Sequence, residues 1–315
     1  MSMSYSPQLK LSLLISLWFL IVVSESLASQ DVDSSNQILV SIDWLIQHQS
    51  DPKLMIVDAR SEAEFNQGHI RGAINIPVAK TFNPQVNTDR VGNIKYIMAL
   101  FRQAGIRNDH TLVIYDENSY IDAGRVFWVF EVYGHKNVKL LNGGIKGWRA
   151  SAQQPLSNIS TPHEISDYVP TINSQRLTTK FSMRLAIEDN SKIIIDSRGK
   201  EDFKGDQSIA SRYGHIPRAI NIPWTENFVE TDGVKLLKPF KKLKKIYSKV
   251  KKNQRIILYC NKGKQSSLSY TVMRHLGYDV AHYDGSWYEW GNDVTLPIVE
   301  KNKNIKEKLK LSNEI

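Results

Sequence analysis

The sequence predicts an α/β chain of two tandem domains, each a parallel sheet with helices on both faces. Three observations carry that prediction. Four short runs, 55–57, 112–115, 193–195 and 256–259, are apolar on consecutive positions, as strands buried on both faces are. Helix-compatible apolar spacing over 126–133 and 267–276 follows two of them, and each stretch ends at a glycine, Gly134 or Gly277, suited to a helix C-terminus. An ordered set of landmarks also occurs twice. Ile56-Val57-Asp58-Ala59-Arg60, Phe65 and Gly68-His69-Ile70-Arg71-Gly72-Ala73-Ile74-Asn75-Ile76-Pro77 return as Ile194-Ile195-Asp196-Ser197-Arg198, Phe203 and Gly214-His215-Ile216-Pro217-Arg218-Ala219-Ile220-Asn221-Ile222-Pro223. Asp to Phe is seven positions in both copies, and the second carries eight extra residues between Phe and Gly. Leu112-Val113-Ile114-Tyr115-Asp116 aligns with Ile256-Ile257-Leu258-Tyr259-Cys260, and Gly143 to Trp148 with Gly285 to Trp290.

Composition narrows the class further. With 315 residues, 41% hydrophobic and 23% charged, the chain can bury real cores, which excludes disorder as its main state. The net charge of +9 favours anionic ligands, but no feature singles out nucleic acid. A single cysteine, Cys260, excludes an intrachain disulfide framework and any multi-cysteine zinc or iron–sulfur site. Any sulfur chemistry must pass through that thiol. Residues 1–28 read as a secretory signal peptide: Lys10 heads an apolar run over 11–23, and Ser26-Leu27-Ala28 places small residues where cleavage needs them. The expectation is an exported protein, periplasmic if its source is bacterial. The domains are then 29–155 and 172–297, with a Pro/Ser/Thr-rich linker over 156–171 and a basic tail over 298–315. Within the second domain, 235–252 holds nine lysines and no acid. Phe240, Leu243, Ile246 and Val250 recur there at three or four residues, predicting an amphipathic helix with a solvated lysine face.

These residues resemble the tandem-domain rhodaneses, the sulfurtransferases that include thiosulfate and 3-mercaptopyruvate sulfurtransferases. The resemblance rests on the Asp-x-Arg strand ends, the two Gly-His-Ile-x-x-Ala-x-Asn-Ile-Pro stretches, a cysteine closing a strand in the second half only, and Asp284-Gly285-Ser286-Trp287-Tyr288-Glu289-Trp290. It covers about residues 38 to 297. It implies a rhodanese fold in each half, a catalytically silent first domain and an active site near the interdomain cleft. Asp116 in the place of Cys260 agrees with the silence, because a carboxylate cannot carry a sulfane sulfur.

Cys260 ends an apolar strand and is followed by Asn261, Lys262, Gly263, Lys264, Gln265 and Ser266 before a helix. A loop of this size turns backbone N–H groups inward as an anion-binding nest at the positive end of the helix dipole. Such a field favours the thiolate and, after sulfur uptake, the persulfide. Lys262 and Lys264 bring two cations within reach of an anionic donor, and Gly263 permits conformations a Cβ hinders. The implied reaction is double displacement, in which Cys260 takes sulfur from an anionic donor and passes it to cyanide, a thiol or a protein acceptor. It requires no metal and no organic cofactor. Asp58, Arg60, Asp196 and Arg198 read as structural carboxylate–guanidinium pairs. His69 and His215 read as packing or hydrogen-bonding residues, and Trp287 and Trp290 as core or cleft wall.

Substrate choice turns on the loop. Thiosulfate-type members follow the cysteine with Arg-Lys-Gly, and mercaptopyruvate-type members with Gly-Ser-Gly. Asn261-Lys262-Gly263 matches neither, but Lys262 leans toward thiosulfate. Asp202 stands where both types carry an arginine, so Arg212 in the second-copy insertion is the expected replacement cation. Two other readings remain. Phosphatases and arsenate reductases of this fold need an arginine six positions after the cysteine, where Ser266 stands. A sulfur carrier that holds a persulfide for one partner protein is the non-enzymatic alternative.

Overall fold

The computed structural model describes residues 37–85 and 89–300. The signal segment and most of the basic tail lie outside them. The first half runs β1 (Leu39–Val40), α1 (Ile42–His48), β2 (Leu54–Asp58), α2 (Glu62–Gln67), β3 (His69–Ile70), β4 (Ala73–Asn75), α3 (Ile94–Gln103), β5 (Thr111–Tyr115), α4 (Ile121–Val132), β6 (Val138–Leu141), α5 (Gly144–Ser151) and β7 (Leu156–Ser157). The second runs β8 (Leu177–Thr178), α6 (Lys180–Ala186), β9 (Lys192–Asp196), α7 (Lys200–Lys204), β10 (Ile220–Asn221), β11 (Phe228–Thr231), β12 (Val234–Leu237), α8 (Phe240–Ile246), β13 (Arg255–Tyr259), α9 (Gln265–His275), β14 (Val280–Tyr283) and α10 (Ser286–Asn292). Each half forms a five-stranded parallel sheet, ordered β1-β6-β5-β2-β4 and β8-β14-β13-β9-β10. The orders coincide strand for strand, so the repeated landmarks mark two copies of one architecture.

The repeated motifs are the fasteners of that architecture. In the first half Arg60 lies against Asp58 through Nη2–Oδ2 at 2.6 Å, while Asp58 Oδ1 accepts the Arg60 amide at 2.9 Å. Arg198 and Asp196 repeat both distances. Asn75 Nδ2 donates to the carbonyls of Asp58 and Arg60 at 3.0 and 2.9 Å, and Asn221 does the same to Asp196 and Arg198. Tyr115 and Tyr259 donate their hydroxyls to Asp58 and Asp196. All four charged side chains are buried, so each carboxylate is paired and hydrogen-bonded as a buried charge must be. His69 and His215 stack on Phe65 and Phe203 and bond those residues' carbonyls, in the packing role read from sequence.

The halves share one interior. A single apolar cluster includes Ile114, Phe127 and Phe130 of the first and Leu258, Leu268 and Val272 of the second. Helices α4 and α9 meet at Gly124, where a Cβ would stand 3.0 Å from the Leu268 amide nitrogen. Farther along, Glu131 receives Arg274 at 3.0 Å and the Tyr270 hydroxyl across the same seam. The segment 156–171, read as the linker, is tied to the first half: Leu156–Ser157 pairs with β3, and Tyr168 is buried with its carbonyl held by Arg102. One expectation needs correction. The lysine run is not one helix. It begins in β12 and only 240–246 is helical, because Pro239 restricts the residue before it and lacks the N–H a longer helix would need. Leu243, Tyr247 and Val250 are buried beneath it, but Phe240 is 48% exposed.

Candidate active site

Cys260 follows directly on β13, and its side chain is buried. The loop beyond it is fixed from outside by its carbonyls. Trp287 N donates to Cys260 O at 2.9 Å and Tyr288 N to Asn261 O at 2.9 Å. Gly263 O accepts Ser267 Oγ at 2.9 Å and Arg125 Nη1 at 3.2 Å. A trans peptide directs its N–H opposite to its C=O. With these three carbonyls held outward, the amides of Asn261, Lys262 and Lys264 face the other way. Among the described residues, no protein acceptor takes the amides of residues 261 to 266. Gly263 has φ +76°, and a Cβ there would meet Asp284 O at 2.7 Å, so glycine is required at this corner.

The first half shows what such a loop is shaped to hold. Asp116 occupies the place of Cys260, with its carbonyl held by Ile145 N and that of Glu117 by Lys146 N. Its carboxylate accepts the amides of Tyr120, Asp122 and Ala123 at 3.1, 3.2 and 3.2 Å, and the Ser119 hydroxyl at 3.1 Å. Burial pushes the Asp116 carboxyl above its ordinary range, against the opposing pull of those amides. Neither α4 nor α9 has a side-chain cap. In α4 the Asp116 carboxylate takes the amides of Tyr120, Asp122 and Ala123; in α9 the equivalent amides of Lys264 and Ser266 have no protein acceptor among the described residues, while Ser267 N donates to Lys264 O at 3.1 Å. The left-handed residue differs between the loops, Tyr120 in one and Gly263 in the other, one position apart in alignment. An anion-shaped cradle filled by a carboxylate in one copy is therefore open beside a thiol in the other.

The first domain completes the surroundings. Arg125 is fully buried on α4, with its guanidinium over Trp128 and Phe82. Besides Gly263 O, it binds the Asp284 carboxylate and Asp89 O. Asp284 Oδ2 accepts Val91 N at 2.8 Å, so a segment of the first half reaches the Asp284 loop of the second. The first-domain loop receives the mirror contact: Asn142 Oδ1 accepts Leu237 N, and Asn118 bonds Lys235. Sequence reading missed Arg125 and Asp284 as loop supports. Asp284 stood in the stretch 284–290 that carries the family resemblance, but Arg125 is 138 residues from Gly263 and nothing local marks it.

The predicted cations are less free than expected. Lys264 Nζ lies 2.8 Å from Asp122, and Lys262 Nζ 3.7 Å from Asp89 and over the Tyr288 ring at 4.9 Å. Lys262 is half exposed and borders a cavity of about 850 Å³ with Asp89, Arg90, Asp284, Tyr288 and Glu289. Arg212 does not replace the missing arginine. Its guanidinium donates to the carbonyls of Gly291, Leu296, Trp290 and Asp293, tying the second-copy insertion to the end of α10 and the chain after it. Four of its five N–H donors are spent on those carbonyls, which gives it a structural role. Asp202 is buried and accepts Gln207 Nε2. Gln265 and Asn261 are half-buried, each with a buried side-chain oxygen lacking a partner among the described residues. Ser266 is fully buried, its hydroxyl 2.7 Å from His282 Nε2.

The model of the Rhodanese-like domain matches this chain twice, over residues 41–151 and 182–293. The chain belongs to the rhodanese family. Among curated relatives, this rhodanese is 32% identical over 287 residues to the sulfur carrier protein TtuD of Thermus thermophilus, covering 84% of this chain and 97% of that protein. It is 33% identical over 272 residues to a putative thiosulfate sulfurtransferase, SseA, of Mycobacterium bovis, covering 83% and 90%. The crystal structure of SseA from Escherichia coli, described as a 3-mercaptopyruvate sulfotransferase, superposes with a TM-score of 0.71 at 27% identity over 80% of this chain and 99% of that one. One of these relatives is named a sulfur carrier and the other two are named for sulfur transfer, and this rhodanese is a sulfurtransferase of the same family.

Proposed function

We propose that the chain moves a sulfane sulfur from thiosulfate to a thiophilic acceptor through a persulfide on Cys260. The observation that carries this reading is the open amide cradle at Cys260, set against the carboxylate-filled one at Asp116. The Cys260 thiolate attacks the outer sulfur of thiosulfate. A Cys260 S–S bond forms, the sulfur–sulfur bond of thiosulfate breaks, and sulfite leaves with the electron pair. Cyanide or a thiolate then attacks the outer persulfide sulfur, and the electron pair of the broken bond returns to Cys260. The amides of Asn261, Lys262 and Lys264 are placed to hold charge on sulfur at both stages, as preorganised donors in a dry site do. Lys262, at the cavity edge, supports the choice of a dianionic donor. With Arg212 engaged elsewhere, it is the loop's most accessible cation. Export through residues 1–28 belongs to the same reading.

A second reading, the 3-mercaptopyruvate reaction, draws on the Escherichia coli likeness. Initial rates with thiosulfate and 3-mercaptopyruvate at equal concentration, with Cys260→Ser as control, separate the two. Faster turnover of thiosulfate is expected, and a marked mercaptopyruvate preference would overturn the donor assignment alone. A thiol loaded once and discharged only to another protein would instead indicate a carrier.

A further inference from the structure

We propose that the lysine-rich face of the second domain docks the protein on an anionic lipid surface. The nine lysines of 235–252, with no acid among them, carry a charge equal to the whole net +9 of the chain, so the remaining residues sum to neutrality. Charge spread for solubility would not be confined to eighteen residues. Lys241, Lys242, Lys244, Lys245, Lys249 and Lys251 are exposed, and among the described residues none of these six has a carboxylate partner. Elsewhere on the surface Lys53, Lys80, Lys180 and Lys192 are each paired to an acid, and the exposed lysines without an ion pair among the described residues, such as Lys95, Lys136 and Lys146, stand singly rather than in a run.

The face is rigidly presented. Leu243 and Tyr247 are fully buried beneath α8, Tyr247 donates to Asn227 at 2.8 Å, and Tyr278 bonds the Tyr247 and Val250 carbonyls. Phe240, 48% exposed at the border of the lysine face, adds an aromatic edge to the charged surface. Lysine is a compact, strongly hydrated charge without the fork that reads phosphates in fixed geometry, and an aromatic beside a lysine cluster suits a headgroup layer. No helix of the described residues is long and apolar enough to cross a membrane, so the contact is peripheral.

Co-sedimentation of the full-length protein with vesicles of phosphatidylcholine alone, or containing phosphatidylglycerol, tests this. Binding is expected only to the phosphatidylglycerol vesicles and to weaken steeply with added salt. The double variant Lys241→Gln/Lys245→Gln should weaken it by about 30-fold, at roughly 1 kcal/mol per lysine. Its sulfur-transfer rate in free solution should stay unchanged, as should its melting temperature. Equal partition to both vesicle types, or undiminished binding by the variant, would overturn the proposal. So would tighter, equally salt-sensitive capture by duplex DNA or a polyglutamate chain than by the vesicles.

Discussion

Asp116 and Cys260 stand at the same corner of two matching frames, and the difference between a carboxylate and a thiol decides what each loop can do. The Asp116 carboxylate binds three amides, and removing it leaves buried donors without acceptors. Asp116→Ala should therefore cost about 1–3 kcal/mol of stability, seen as a lower melting temperature, with sulfur transfer by the folded protein little changed. Histidines supply a pH dependence. Burial lowers His282 from 6.5 to about 3 and His135 to about 4. The unfolded chain takes up these protons near pH 6.5 and the folded chain does not. Stability is thus lost as pH falls from about 6.5 toward those values, by roughly 1.4 kcal/mol per unit for each ring. A His282→Met variant should show a shallower acid limb in melting temperature against pH; an unchanged slope would remove that ring from the account. The Asp-x-Arg pairs, the stacked histidines and the exchange of Asp116 for Cys260 were legible because each is local and occurs twice. Arg212 was misread because its partners are backbone carbonyls some 80 residues away, which no side-chain pattern announces.

At the scale of elements, the cradle depends on how α9 begins and what lies against it. Gly124 brings α4 within contact of the first turn of α9, and Gly263 turns the loop against Asp284. Gly124→Ala should cost about 1–3 kcal/mol by overpacking at backbone atoms that cannot rotate away. It should also lower kcat/KM, since the displaced turn carries the open amides. Thermal melts and steady-state rates on the same preparation check both; a full-rate variant would mean the loop is held without α4. Gly263→Ala, strained by its positive φ, should be the more damaging of the two. The four central strands β2, β5, β9 and β13 and both central helices were legible within a few residues, because apolar runs and glycine stops are sequence-local signals. The lysine run was harder: a spacing of three or four residues also fits a strand, a proline and a short helix in succession.

Across the whole molecule, two sheets share one apolar interior, and each half touches the loop of the other. The first domain, which carries Asp116 in the place of Cys260, holds Gly263 O through Arg125. Calorimetry should accordingly show one cooperative unfolding transition for both halves, and two resolved transitions would contradict a common core. The tandem organisation was legible from the repeat; the seam was not, since contacts such as Glu131 to Arg274 join residues more than a hundred positions apart. The most direct test of the central claim is the intact mass of the protein after mixing with one equivalent of thiosulfate, with released sulfite measured in parallel. The account predicts a gain of one sulfur atom, located at Cys260 and absent in Cys260→Ser, with one equivalent of sulfite. No gain in mass, or the same gain in the serine variant, would contradict it.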